Sequence, residues 1–489
     1  MTVTKATLKD GRTVEFVYTN DPPAGGMKKT YFSPDRSYVV QFFHDHTTGQ
    51  DPQRLARLDF ILGKYNPTVP EAEGGANGVT TAAAEYFKKL FCWPTGIVVQ
   101  PDIGIVAPTY PSNYFFGKGP FKGLEKEGRW FTSLRLRGML PEEERGTWIN
   151  YFKLCILMTR AVRRLHAAGL AHSDLSCKNI LVDPSNGLSV MIDIDSLVVP
   201  KLFPPDVAGT PGYIAPEVLS TIQLDLRDPN RVLPSARTDQ HALPVLIYEY
   251  LLSRHPLKGP KVNATTSAEE DEHLSMGAKA LFVEHPTDTS NRPKDLKIPC
   301  LVLGPQMSEL FTRAFVNGLH SPNDRPSAHE WERGLIKTWD MIFPCRNTSC
   351  SHKWFVLHDQ TRIQCSFCGT KPQGTIPILR LRKESRPGQW LLDGQVVVYH
   401  DGDRALSLFK WHAFDNVFPG EEADRTPQAY CQFHLGQWIL VNQNLTSLTS
   451  PAGNRVPPGQ AVVLKHGIQL RLSQEPHGRI AEVQMVQIP

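Results

Sequence analysis

In "HSDLSCKNILVD" Asp174 precedes Asn179 by five residues, and Asp193 and Asp195 follow in "VMIDID". Phosphoryl transfer is a reaction that such groups could serve. It needs one carboxylate to orient the attacking hydroxyl, and a second carboxylate with an amide oxygen to hold Mg²⁺ against the phosphates. A lysine placed by a glutamate then offsets phosphate charge. A separate set, Cys345, Cys350, Cys365 and Cys368, reads C-x4-C and C-x2-C across a spacer of about fourteen residues. Two such turns bring four thiolates together, which suits tetrahedral Zn²⁺ in a structural role because no coordination position stays open. Gly369 eases the second knuckle, and His352 is a possible substitute ligand. A segment so small is expected to lack a core and to fold around its metal.

Five motifs in chain order then give the sequence a resemblance to the protein kinase superfamily. "HSDLSCKN" resembles the catalytic loop, which implies Asp174 as the base and Asn179 as a metal ligand. "VMIDID" resembles the strand that ends in the metal-binding acid, assigned to Asp193, with Asp195 as the alternative register. If both acids face the nucleotide, two Mg²⁺ ions are expected to offset their repulsion. "GTPGYIAPE" resembles the end of the activation segment and closes on Glu217. "TDQHALPVLIYEYLL" supplies Asp239, implied to brace the catalytic loop, and "NDRPSAHEW" supplies Arg325, implied to pair with Glu217. The resemblance covers residues 10 to 340 and implies an ATP- and Mg²⁺-dependent transfer to Ser/Thr hydroxyls of the chain itself or of a protein partner.

Several positions depart from the pattern. The strand "SYVVQFF" carries Gln41 where the family has its phosphate-binding lysine, and a Gln supplies no charge. Lys28 and Lys29 stand on the preceding strand, and Lys28, next to the Gly25–Gly26 turn, is expected to reach the same space, as in one group of kinases. The plainer alternative leaves both lysines solvated. Glu85, in "AAAEYFKKLFCWPTGIV", matches the spacing of the family's helix glutamate, which makes the earlier helix of residues 51–65 an insertion. Ser173 replaces the Arg that receives an activation-segment phosphate, so switching of that kind is not expected. Ser176 replaces a phosphate-contacting Lys, and Lys178 is expected to do that work. These departures keep a second reading open, a pseudokinase scaffold acting through its C-terminal parts.

The elements that must position these groups follow from periodicity. "TVEFVY" and "SYVVQFF" alternate as strands around a Pro- and Gly-rich turn, and "GIVVQPD" and "IGIVAPTYP" add two more. "RGTWINYFKLCILMTRAVRRLHAAG" has helical spacing and ends near Gly169, and helices then dominate to about Trp339, with a polar, loop-rich stretch between Lys258 and Pro299. From Pro377 short alternating strands return, and "GQWILVNQNLTSLTSPAGNRVPPGQAVVLKHGIQLRLS" resembles the closing half of a forkhead-associated domain. Phosphothreonine readers of that family need basic residues on early loops. Only Arg404 and His412 offer themselves, so a plain β scaffold is an equal expectation. The fold class is therefore α+β, a bilobal kinase-like fold (lobes 1–112 and 113–340) followed by a zinc ribbon (341–373) and an all-β sandwich (377–489).

That domain order resembles atypical bacterial kinases of stress and tellurite-resistance gene clusters, which implies a von Willebrand-type protein and a phosphatase as partners. Bulk properties fit a soluble chain: 40% hydrophobic and 21% charged residues exclude disorder and fibre. A net charge of +4 over 489 residues gives no nucleic-acid signal. No apolar run is long enough for a bilayer, and the N-terminus has no secretory h-region. Nine cysteines, four of them crowded together, suit a reducing cytoplasm better than a disulfide framework.

Overall fold

The structure is a computed structural model that describes residues 2–488 apart from 26, 45–51, 74–77, 200–201, 203–208, 226–227 and 402–403; at 400, 401, 404 and 405 it describes the backbone alone. Six antiparallel strands form the first sheet: β1 (Thr2–Leu8), β2 (Thr13–Tyr18), β3 (Lys28–Phe32), β4 (Tyr38–Phe43), β5 (Gly96–Gln100) and β6 (Gly104–Pro108), in the order β2-β1-β5-β6-β4-β3. Alternation gives the sheet two apolar faces. One buries Phe16, Tyr31, Val40, Phe42, Val98 and Val106. The other buries Phe43, Ile97, Ile103 and Ile105 against Leu58 of helix α1 (Pro52–Leu62). In the β3–β4 register Lys28 lies opposite Phe43 and Thr30 opposite Gln41. Lys28 and Gln41 therefore share one face, and a lysine on β3 can reach what a lysine at position 41 would reach.

Helix α1 is the next element after β4 among the described residues and covers the sheet face that carries Lys28, while Trp93 Nε1 donates to the Ile61 carbonyl (3.0 Å) and fixes its C-terminal end. Helix α2 (Thr81–Phe87) packs elsewhere. Its Tyr86 hydroxyl accepts from Arg160 (2.8 Å), and the Arg164 guanidinium lies 5.4 Å from the Phe87 ring.

Both arginines belong to the long helix Trp148–Ala167, which leads into the hairpin of β7 (Ile180–Asp183) and β8 (Leu188–Met191). The helix Ala236–Leu252 is apolar nearly all round and buried from Thr238 onward, as a central helix must be. A capping box at Ser235 and Thr238 fixes its start and so the aim of Asp239 in its first turn. Residues 1–146, 150–295 and 311–331 make up this first compact unit.

The second unit comprises residues 147–149, 296–310 and 332–489. Residues 296–310, which the sequence pattern places in the helical lobe, fold with this unit. Strands β9 (Ile342–Pro344) and β10 (Trp354–Val356) form the hairpin of the cysteine segment. That segment does not lack a core. Phe343, Phe355 and Leu357 are buried with Cys350, Cys365, Ile376, Ile378 and Val397, so the following strands lend it apolar partners. Those strands are β11 (Thr375–Arg386) and β12 (Gln389–Val397); β13 (His400–Asp401), β14 (Arg404–Leu408), β15 (Ala429–His434), β16 (Gln437–Asn442), β17 (Ala461–Val463), β18 (Gln469–Arg471) and β19 (Ile480–Gln487) complete the tail. They make two antiparallel sheets, β12-β11-β19-β18 and β13-β14-β15-β16-β17, whose inner residues share one core.

Candidate active site

The loop that carries Asp174 is held from beneath. Asp239 Oδ2 accepts from the His172 amide (2.7 Å) and its Oδ1 from the Ser173 amide (3.2 Å), with His166 Nε2 also 3.1 Å from Oδ2. A carboxylate in the first turn of a helix is favoured by the unpaired N–H groups there. The bracing implied for Asp239 is thus met through backbone amides. Ser173 takes a left-handed conformation (φ 66°), which a non-glycine residue holds only when its surroundings fix it. His172 Nε2 lies 2.9 Å from the Ile192 carbonyl, and the Ile192 amide donates to the Asn179 carbonyl (3.1 Å). These bonds join the loop to the strand that presents Asp193.

Asp174 is half-buried. Its Oδ2 accepts from Asn179 Nδ2 (2.9 Å), which also donates to the Asp174 carbonyl (2.8 Å), and its Oδ1 accepts from Thr210 Oγ1 (2.7 Å). The amide nitrogen of Asn179 is thus committed, and its side-chain oxygen is the atom left that could take a cation. Asp193 is in the left-handed region (φ 58°, ψ 38°), and its side chain stays 45% exposed.

Lys28 joins this site. Its Nζ lies 2.6 Å from Asp195 Oδ1 and 3.2 Å from Asp193 Oδ1, with Lys28 and Asp195 side chains only 8% and 5% exposed. Burial works against the Lys28 charge, but the two carboxylates outweigh it and raise the ammonium's pKa above its ordinary value. Gln41 stands beside them and donates to Thr30 Oγ1 (3.0 Å), so it fills the lysine position without charge.

Other expected residues stay apart. Glu85 is 60% exposed and pairs with Lys88 at 2.5 Å, because α2 turns Tyr86 and Phe87 toward the long helix and leaves Glu85 outward. Glu85 therefore does not meet Lys28. Lys178 is exposed and has no ion pair or side-chain hydrogen bond among the described residues. Gly25 is exposed beside Lys28, its amide donating to the Lys28 carbonyl (3.0 Å), whereas Gly26 lies outside the described residues. Glu217 and Arg325 do meet, with two bonds of 2.7 Å, and Arg325 also donates to the Gly318, Leu319 and Arg237 carbonyls. Thr210 and the clamp on Lys28 escaped the sequence reading. The Thr of "GTPGY" was the available signal for the first.

Residues 126–331 match the protein kinase domain model. This chain carries a protein kinase domain. Similar curated proteins include the serine/threonine-protein kinase pkn3 of Myxococcus xanthus (27% identical, 37% of this chain and 29% of that protein). The CBL-interacting serine/threonine-protein kinase 7 of Arabidopsis thaliana is 28% identical over 29% of this chain and 30% of its own length. The CBL-interacting protein kinase 12 of Oryza sativa subsp. japonica is 42% identical over 17% of this chain and 15% of its own length. The chain thus spans under a third of each of these relatives. Val39, Gln41, Cys92, Ala107, Tyr110, Asp193 and Asp195 line a small cavity beside this cluster.

The second candidate site is the cysteine set. The four Sγ atoms lie within 4.8 Å of one another, with Cys345–Cys368 at 3.5 Å and Cys350–Cys365 at 3.9 Å, and none is disulfide-bonded. Thiolates about 2.3 Å from a zinc ion stand about 3.8 Å apart at the tetrahedral angle, so the group has the right size. His352 is not part of it, its ring lying flat on Phe367 at 3.7 Å between centroids. In the tail, His412 is buried, with Nδ1 accepting from the Phe409 amide (2.9 Å) and Nε2 3.3 Å from Asp340, so its ring is taken up by structure. The Arg404 side chain lies outside the described residues. Among the described residues no helix is long and apolar enough to cross a membrane.

Proposed function

We propose that this protein is an ATP- and Mg²⁺-dependent kinase that phosphorylates Ser/Thr of itself or of a protein partner. One observation supports it above the others: hydrogen bonds link Asp174 to Asn179 and Asn179 to Ile192, whose chain neighbour Asp193 is bonded to Lys28. In this reading Asp174 orients the hydroxyl and accepts its proton, Lys28 faces the phosphates, and Lys178, free in solvent, closes on the moving phosphoryl. The Asn179 side-chain oxygen and the Asp193 carboxylate would hold Mg²⁺, which supplies positive charge against the phosphates. Purified protein with Mg-ATP is expected to label itself or a partner. Asp174→Ala is expected to abolish labelling while the protein still unfolds in a cooperative urea transition. Wild-type protein that transfers no label to any substrate refutes the proposal.

A pseudokinase scaffold is the competing reading, favoured by Gln41 and by the outward Glu85. Absence of any thermal shift at millimolar ATP with Mg²⁺ selects it. In either reading the cysteine set holds structural Zn²⁺ and the β tail is a scaffold of forkhead-associated type. Partner choice, including a von Willebrand-type protein and a phosphatase, rests on domain order alone, and a cytoplasmic location on the free thiols.

A further inference from the structure

Kinase chemistry needs a cation fixed beside the phosphates, and a flexible lysine is fixed by a carboxylate that has no other work. The acid expected to do this, Glu85, is on the wrong helix face and bonded to Lys88. Helix α1 lies against the Lys28 face of the sheet, yet it offers no acid there. Its Arg54 guanidinium lies 4.4 Å from the centre of the Phe43 ring, whose other neighbour is Lys28 Nζ at 6.0 Å, and its Asp59 is bonded to Lys9 at the surface. Among the described residues only Asp193 and Asp195 pair with Lys28.

These two acids are not equivalent. Asp193 is 45% exposed toward the cleft and bonds Lys28 at 3.2 Å, whereas Asp195 is 5% exposed and bonds it at 2.6 Å. Two carboxylates and one ammonium leave one net negative charge, and it belongs to the exposed Asp193, where a cation can arrive. The buried Lys28–Asp195 pair carries no net charge and is held by the shorter bond. We infer that Asp195 is the positioning residue for Lys28, taking over the work of the helix glutamate, so that the lysine and its counter-ion come from the sheet and the metal-binding motif with no acid from helix α1 or α2. This rests on the reading of Lys28 as the phosphate-facing lysine.

The test uses the full chain with Lys28→Met, Asp195→Asn, Asp195→Glu, Glu85→Gln and the Lys28→Met/Asp195→Asn double variant. ATP affinity is measured by calorimetry in EDTA, so that no metal contributes, and the urea midpoint is measured without nucleotide. Lys28→Met and Asp195→Asn are each expected to weaken ATP binding about tenfold, the double variant no further than Lys28→Met, and Asp195→Glu to recover part of the loss. Glu85→Gln is expected to stay within about twofold of wild type. In turnover assays Asp195→Asn is expected to raise KM for ATP more than it lowers kcat. Unchanged affinity in Asp195→Asn, losses that multiply in the double variant, or a Glu85→Gln loss equal to that of Lys28→Met each overturn the inference. If wild type binds no ATP, the kinase reading fails by itself. The urea cycle then still decides the pair: coupling between positions 28 and 195 without ATP binding makes Asp195 merely structural, and no coupling removes the pair altogether.

Discussion

Replacing Asp239 should loosen the catalytic loop in measured steps. In the wild type its carboxylate accepts two buried backbone N–H groups, those of His172 and Ser173, and a third partner at His166. A hydrogen bond to a charged group contributes about 1.5–3 kcal/mol, so Asp239→Ala, which orphans both amides, is expected to cost about 3–6 kcal/mol. For about 150–250 residues that is a fall in Tm of roughly 6–24 °C, and somewhat less for this larger unit. Asp239→Asn keeps one acceptor oxygen but turns an NH₂ toward the other amide, so roughly half to two-thirds of that loss is expected. Ser173 would no longer be held at its positive φ, and Asp174 next to it would shift. A displacement of about 1 Å at the reacting groups can lower rate about a hundredfold. Urea unfolding followed by circular dichroism gives the stability series wild type, Asn, Ala, and phosphotransfer assays in the folded baseline give the rate series. If both variants unfold within about 0.5 kcal/mol of wild type, the bracing role assigned to Asp239 is wrong.

Glu249 supplies a pH test. Burial raises its pKa from 4.5 to about 7, against the hydroxyl bond from Tyr213 (2.5 Å). The folded state therefore holds this proton more tightly than the unfolded chain. Its contribution is complete below pH 4.5 and disappears as pH rises through 7, a change of about 3 kcal/mol. Glu249→Gln should remove that slope and be more stable than wild type at pH 8, as pH-dependent urea midpoints will show. Arg325→Lys should cost about 2–4 kcal/mol, because a lysine cannot serve Glu217 and three carbonyls at once; an unchanged thermal midpoint would contradict this. Removing metal with a strong chelator should make the four thiols reactive to Ellman's reagent and increase hydrogen exchange in β9 and β10. Strands β11 and β19 should stay protected, since they keep the tail's own core.

The parts legible in the sequence were those whose partners are set by short-range chain geometry. Asp174 and Asn179 are five residues apart on one loop, and a helix start at Ser235 aims Asp239. Lys28 could be suggested because strand alternation is a strict two-residue period. The identity of the helix under Lys28 was not legible. Two amphipathic segments compete for that place, and Phe43, Ile97 and Ile105 decide for α1 through packing that no spacing rule encodes. From the sequence Asp195 reads only as a metal ligand, because nothing there signals that a lysine on another strand consumes its charge. The cysteine spacing announced the thiol cluster, but the hydrophobic support from Ile376, Ile378 and Val397 comes from strands outside the motif.

That support bears on how the chain can be divided. A fragment ending at residue 340, where the sequence pattern places the end of the helical lobe, would retain residues 296–310 without the rest of the unit they fold with. It would expose Cys300 and Leu303, which are buried in the intact chain, and would be prone to aggregate. Transplanting residues 341–373 alone would equally expose Phe343 and Phe355. The hairpin and the sandwich belong to one folded unit, so deletions meant to isolate the first unit should remove residues 332–489 together and replace the apolar side chains left behind at 300–303.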